Sequence, residues 1–268
     1  MKKYWHVIGI GIQNNLTYRV NYLTRTLFSF IPLFAMLSLW RTVYAGKGQG
    51  NALGGYTETQ MIFYYMLVAV VDVLTAVNED DWQIAADIRE GNISQFLLKP
   101  INYLWYRLCL FFSGRITFIA MASVPLAVFI LCFRHYFVLP AGAMALFAFP
   151  ISLFLTALLQ FFTSYAMAML AFWLLEISTL IFILFAFEYV ASGHLFPLDL
   201  LPAWLQHVLM FTPFPYQLYL PIGIYMGKIS GADIPLGLMV QLMWVLLAYG
   251  FARFMWARGI KKYAAFGG

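Results

Sequence analysis

The chain has 268 residues, of which 63% are hydrophobic, 19% aromatic and only 10% charged, with a formal net charge of +5. A soluble domain carries about 45–50% apolar and about 25% charged residues, so a water-soluble enzyme and an intrinsically disordered chain are excluded, because too little polar material exists to coat the surface. A free nucleic-acid-binding domain is excluded as well, since so few cations cannot track a phosphate backbone, and the basic balance reads as membrane topology.

Residues 1–25 predict an amphipathic helix lying in the cytoplasmic interface. Trp5, Ile8, Ile12, Leu16, Val20 and Leu23 recur at steps of three or four, with Lys3, Gln13, Asn14, Thr17 and Asn21 largely off that stripe. The Lys2-Lys3 start imitates a signal peptide, but His6, Gln13, Asn14, Asn15 and Arg19 interrupt any clean apolar core, so the segment is expected to stay in the mature protein.

A spanning helix needs about 20 predominantly apolar residues. That criterion predicts six spans, near Thr26–Tyr44, Thr57–Val77, Ile116–Phe133, Ala141–Ser164, Phe172–Val190 and Ile234–Ala252. The fourth and fifth come from dividing the stretch Ala141–Val190, which contains no Lys or Arg, with a turn expected near Tyr165–Ala171. With both termini inside, only Arg41, Lys47, Arg134 and Lys228 of the 16 Lys and Arg fall outside, a clear positive-inside bias.

Between the second and third spans lies the one charge-dense segment, Asn78–Pro100. Asn78, Glu79, Asp80 and Asp81 suit a helix start, Gly91 reads as the residue past a helix end, and Pro100 stops a second short helix. The expectation is a stiff, protruding cytoplasmic elbow with an apolar tongue at Phe96-Leu97-Leu98. The segment from Ser192 to Gly231 holds Pro197, Pro202, Pro213, Pro215 and Pro221, yet Trp204, Leu205, Val208, Leu209, Met210 and Phe211 keep it apolar. Free in water it would expose too large an apolar patch, so it reads as broken helices dipping back from the outer surface and buried by protein.

The chemistry is sparse. No G-x-x-x-x-G-K-[ST] is present, since Gly46-Lys47 and Gly227-Lys228 lack the rest of that pattern, and neither H-E-x-x-H nor G-x-S-x-G occurs. Cys109 and Cys132, read as one helix, would lie roughly 34 Å apart, beyond disulfide reach. His194 and Asp199 fit H-x-x-x-x-D, the pattern of glycerolipid acyltransferases, although Pro197 sits inside it. That leaves a membrane enzyme as an alternative to a lid turn. Three acids fall within predicted spans: Asp72, Glu176 and Glu188. Asp72 and Glu176, expected toward the inner side, either bind a cationic substrate or pair with Arg107 or Arg115. Phe182, Phe185, Phe187 and Tyr189 offer an aromatic wall for an amphipathic, apolar or cationic cargo, or plain packing surface.

An amphipathic first helix, six spans, an elbow between spans two and three, and an apolar hairpin before span six resemble the permease subunit of type 2 ABC exporters. The stretches Ile88-Arg-Glu-Gly-Asn-Ile-Ser-Gln-Phe-Leu-Leu-Lys-Pro-Ile101 and Ser192-Gly-His-Leu-Phe-Pro-Leu-Asp-Leu-Leu-Pro-Ala-Trp-Leu205 carry the closest likeness, which is to the ABC-2 subgroup of viologen-exporter-type permeases. The resemblance implies one all-α membrane domain over 1–268. Its parts are a connecting helix (1–25), spans one and two (26–77), a coupling region (78–115), spans three to five (116–190), an outer re-entrant hairpin (191–231), and span six with a cytoplasmic tail (232–268). It implies two ABC ATPase subunits that hold ATP and Mg, a second permease chain, identical or paralogous, a bacterial inner membrane with both termini cytoplasmic, and no nucleic-acid partner. This chain itself needs no cofactor and no catalytic residue. The coupling helix maps onto Trp82–Lys99, with Trp82, Ile88, Arg89, Glu90, Gly91, Phe96, Leu97 and Lys99 facing the ATPase. The outer gate maps onto Gly193, His194, Phe196, Pro197 and Pro202. Spans two and five, with Asp72, Glu176, Phe182 and Phe185, are expected to line the substrate path. A self-sufficient secondary carrier is the rival reading; it predicts similar halves, and the elbow occurs only once.

Overall fold

The computed structural model describes residues 2–17, 19–47, 52–77, 80–140, 142–174 and 176–263, without the side chains of residues 19, 21–23, 25–26, 47 and 80–81. Among these the chain is helical and carries no strand beyond a single bridge between Leu53 and Tyr56. The helices in order are α1 (Lys2–Thr17), α2 (Arg19–Lys47), α3 (Glu58–Thr75), α4 (Asp80–Arg89), α5 (Ser94–Leu97), α6 (Tyr103–Cys132), α7 (Ala143–Ala168), α8 (Ser178–Ala191), α9 (Ala203–Met210), α10 (Tyr219–Tyr225) and α11 (Asp233–Lys262).

Among the described residues, five helices are long and apolar enough to cross a bilayer: Leu27–Gly46 within α2, all of α3, α6, α7 with its 3-10 extension to Phe172, and α11. The predicted fifth span is shorter than expected. Its helix, α8, has only 14 residues, about 21 Å at 1.5 Å per residue, against a hydrocarbon core of about 30 Å. The turn before it falls at 173–177 rather than Tyr165–Ala171, because α7 runs to Ala168 and tightens into a 3-10 turn over Met169–Phe172. The third span starts at Tyr103 instead of Ile116, so 103–115 belong to α6 and not to the coupling region. Asn102 accepts from the backbone N–H of Trp105 and fixes that start.

The helix α3 forms the centre. It is apolar on every face, and Met61–Val68 are all buried, as expected for a helix surrounded by others. It starts with a reciprocal Thr57–Gln60 capping box. A second core joins α4, α6, α7 and α11 around Ile84, Leu108, Phe161 and Val245.

The α1 helix packs along α6, and of the predicted stripe Ile8 and Ile12 are half-buried. Gly11 is its buried residue, while Trp5 and Leu16 are 73% and 50% exposed. A Cβ on Gly11 would collide with Ser113, so the glycine lets the two backbones approach, and Asn15 Nδ2 then donates to Ser113 Oγ at 3.5 Å. Small residues choose this face rather than large ones, because close approach of backbones wins over the span of the apolar stripe.

Two sets of contacts mark the ends of the bundle. At one end Lys3 Nζ donates to the Pro100 carbonyl, and Tyr263 Oη, just past α11, reaches Ser94 Oγ (2.8 Å) and the Gly91 carbonyl (3.1 Å). At the other, Arg41 meets Tyr136 Oη, Tyr44 Oη donates to the Tyr56 carbonyl, and Lys228 donates to the Gly55 carbonyl. The α7 helix finishes at the first end, with Phe172 against Tyr263 and Trp256, while α11 starts beside Lys228 at the second. The chain therefore passes from one end to the other between 173 and 228, by way of α8 and the segment that follows.

Candidate functional site

The segment after α8 is threaded alongside α3. Gly193 takes φ +99°, a conformation open to glycine, and a Cβ there would lie 2.6 Å from Tyr64 Oη. This lets Tyr64 donate to the Gly193 carbonyl at 2.7 Å, and Tyr65 donates to the Leu195 carbonyl at 2.5 Å. Nearer the start of α3, Tyr56 and Tyr219 donate to the two carboxylate oxygens of Asp199, at 2.6 and 2.8 Å. Burial and the Asp199 carboxylate both raise the Tyr56 phenol far above its ordinary value, so it stays a neutral donor.

The deepest rung joins two residues that the sequence placed apart. His194 Nε2 meets Asp72 Oδ1 at 2.9 Å, and His194 Nδ1 meets Ser192 Oγ at 2.7 Å. Tyr189 stacks on the imidazole with ring centres 5.2 Å apart. Asp72 was expected near the inner side and His194 in the outer gate. They meet because α8 ends inside the bundle, so His194 lies deep beside α3 before the chain rises to Asp199 near the start of α3. Asp72 and His194 both line a cleft of about 200 Å³ between α2, α3, α6 and the end of α8, together with Arg115 and Phe118.

The other predicted path residues lie elsewhere. Glu176 is exposed and accepts from the Ser178 backbone N–H and hydroxyl, capping the start of α8 beside α4, so it does not join Asp72. Phe182 and Phe185 are 68% and 62% exposed on the outside of α8 and do not line the cleft. The aromatic surface of the cleft comes from Tyr65, Phe118 and Tyr189. Arg107, a suggested partner of these acids, instead faces Asp87 at 3.7 Å, and Tyr103 Oη donates to the same carboxylate at 2.7 Å.

His194 and Asp199 do not form the pair that the H-x-x-x-x-D spacing suggests. Each is occupied by other partners: Asp72 and Ser192 for the first, Tyr56 and Tyr219 for the second. Phe196 is half-buried, Pro197 buried and Pro202 exposed at the foot of α9.

The elbow divides into an inner and an outer face. Ile88 is buried in the core, and Phe96 packs against Tyr103 and Tyr106 with ring centres 5.0 and 4.8 Å away, so neither is available to a partner. Trp82, Arg89, Glu90, Leu97, Leu98 and Lys99 are exposed. Gly91 takes φ +79° at the bend. The predicted helix-start residues Asn78 and Glu79 lie outside the described residues. The elbow is thus seated on α6, α7 and α11 rather than free-standing, because Ile84, Ala85, Ile88 and Ile93 all point inward.

A sequence model described as ABC-2 family transporter protein matches residues 30–267. The chain belongs to that family. No curated protein and no solved structure matches it. As an ABC-2 protein it is a multi-pass membrane transport subunit, and membership implies partnership with ABC ATPase subunits. Sequence reasoning missed Tyr56, Tyr64, Tyr65 and Ser192 as members of the site. The available signal was the Tyr64-Tyr65 pair in an otherwise apolar span, since buried phenols need acceptors.

Proposed function

We propose that this ABC-2 permease forms the membrane pathway of an ATP-driven exporter in a bacterial inner membrane, as a dimer with an identical or paralogous chain. Two separate ATPase subunits, holding ATP and Mg, drive it. The match over 30–267 carries this reading. The likeness to viologen-exporter-type permeases belongs to the same proposal, as does an amphipathic, apolar or cationic cargo.

In this reading α8 completes a sixth crossing and both termini are cytoplasmic. Parity supports it: α1 and Tyr263 sit at one end of the bundle, and five long helices alone would leave them at opposite ends. The segment 193–218 is the re-entrant outer gate. The ATPase docks on Trp82, Arg89, Glu90, Leu97 and Lys99, with Leu98 added to them by its 89% exposure. ATP binding draws the ATPases together and moves the elbows. Because the elbow is packed into α6, α7 and α11, its displacement passes to those helices as a rigid-body shift rather than being absorbed locally.

Affinity purification from native membranes tests this. An ABC ATPase is expected to co-purify, and Leu97→Asp with Leu98→Asp is expected to reduce its recovery at least about tenfold while membrane insertion is unchanged. Absence of any ATPase, or gradient-driven transport by the chain alone, overturns the reading.

A further inference from the structure

Where the chain leaves α6, an apolar groove and two arginines come together. The groove, of about 320 Å³, lies between α3, α6, α7 and α10, with Leu67, Val70, Ile130 and Phe149 in its walls. Val138 and Leu139 also line it while 61% and 86% exposed, so it is open at the protein surface. Leu131, Leu146 and Phe147, next to its wall residues in sequence, are exposed as well, an apolar flank that suits hydrocarbon. Phe137 meets Phe63 with ring centres 5.5 Å apart, and Leu67 and Val70 follow Phe63 by about 6 and 10 Å along α3. The groove thus descends about 10 Å from that contact, against about 15 Å for one leaflet of a 30 Å hydrocarbon core.

The arginines stand at the head of this groove. The Phe137 N–H donates to the Arg134 carbonyl at 3.2 Å, closing a turn that holds the two α-carbons within about 7 Å. Arg134 is exposed. Arg41 reaches the same turn, its Nη2 donating to Tyr136 Oη at 3.3 Å, and His135 packs on the Tyr136 ring. The acids of this end are Glu58, Asp199 and Asp233. Asp199 is held by Tyr56 and Tyr219, and among the described residues neither Glu58 nor Asp233 forms an ion pair with either arginine. We propose that this is a binding site for an anionic phospholipid, with one acyl chain in the groove and the phosphate at Arg134 and Arg41. The guanidinium fork matches phosphate oxygens, and a basic rim beside an apolar groove answers both parts of such a lipid at once. A zwitterionic head would bring its ammonium beside the two guanidinium groups, which disfavours it. A second copy of the chain, in a two-fold contact centred here, would set another pair of arginines against the first. The site requires only a chain embedded in a bilayer and goes beyond the exporter reading.

Native mass spectrometry of the full chain, purified in detergent and stripped of lipid, tests this. The probes are dioleoylphosphatidylglycerol and dioleoylphosphatidylcholine, which share their chains and differ in head charge. One saturable phosphatidylglycerol adduct is expected, at least about tenfold tighter than that of phosphatidylcholine, as for a charge-assisted contact. Arg134→Gln is expected to remove the preference and to leave phosphatidylcholine binding unchanged. Val70→Trp, which fills the groove, is expected to weaken both lipids at least about tenfold. Val138→Glu sets an anion at an exposed position on the groove, where the fold is not threatened, and is expected to weaken phosphatidylglycerol by a similar factor. Equal affinity for the two lipids, or a preference untouched by Arg134→Gln, overturns the anionic head. A preference lost in Arg134→Gln but kept in Val70→Trp means a phosphate contact with no chain in the groove, and overturns the proposal too. So does phosphatidylglycerol binding unchanged in Val138→Glu. Failure of this binding leaves co-purification of an ATPase unaffected, so the two readings fail separately.

Discussion

Gly193 shows how one residue fixes the course of a whole segment. Its positive φ bends the chain where it passes beside α3, and its missing Cβ admits the Tyr64 hydroxyl. Alanine there would meet both penalties, strain of about 1–3 kcal/mol from the backbone and loss of a buried hydrogen bond of about 1 kcal/mol. Gly193→Ala is therefore expected to lower the thermal midpoint of the purified protein by several degrees, whereas Gly250→Ala, inside α11 with nothing within 4 Å, is expected to leave it unchanged or raise it slightly. A differential scanning measurement in detergent distinguishes them. The glycine was legible in the sequence as part of a hairpin. The partner Tyr64, 129 residues away, was not, because nothing local in a span of apolar residues says which acceptor a phenol will find.

Among the helices, the commonest departure from the sequence reading is one of length and face. The α6 helix begins a full three turns earlier than its apolar run suggests, since Arg107 and Arg115 are tolerated inside the helix: one faces Asp87, the other lies over Phe118. Hydropathy counts a cation as an interruption, but a folded neighbour neutralises the cost. The α1 helix meets α6 closely at Gly11, which permits an approach that a large side chain would not. Gly11→Leu is expected to push α1 off α6 and to lower stability by about 1–3 kcal/mol, as overpacking does. Gly9→Leu, where nothing lies within 4 Å, is expected to be neutral or slightly stabilising through helix propensity. Comparing the two by thermal denaturation separates packing from propensity. If both behave alike, the α1–α6 contact is not the one described.

Over the molecule as a whole, one bundle end gathers Lys3, Gly91, Ser94 and Tyr263, and the other gathers Arg41, Gly55, Tyr136 and Lys228. Cysteines placed at Leu98 and Lys228 are therefore expected to react with impermeant thiol reagents from opposite sides of the membrane. Labelling of both from one side would contradict six crossings. Deep in the bundle, Gln241 on α11 donates to the Tyr216 carbonyl at 2.8 Å and to Thr156 and the Ser152 carbonyl of α7. Since Gln241 lies about 12 Å below the start of α11, the turn between α9 and α10 is held well inside the bundle. This is the physical answer to the apolar, proline-rich composition of 192–231: its freed backbone groups are satisfied by buried polar side chains.

Composition alone established a membrane protein, because the ratio of apolar to charged residues admits no water-soluble surface at this length. Local pattern added five of the long helices, the bend at Gly91 and the broken helices of the proline-rich segment, all consequences of interactions within a few residues, but it expected a full-length fifth span where α8 has only 14 residues. The tertiary structure alone decided that Asp72 meets His194, that Glu176 merely caps α8, and that Ile88 and Phe96 face inward while Leu98 faces out. The first outcome brings polar groups within 3 Å of each other across 122 residues, and the inward turn of Ile88 and Phe96 comes from packing against distant helices, so neither is displayed by local preference.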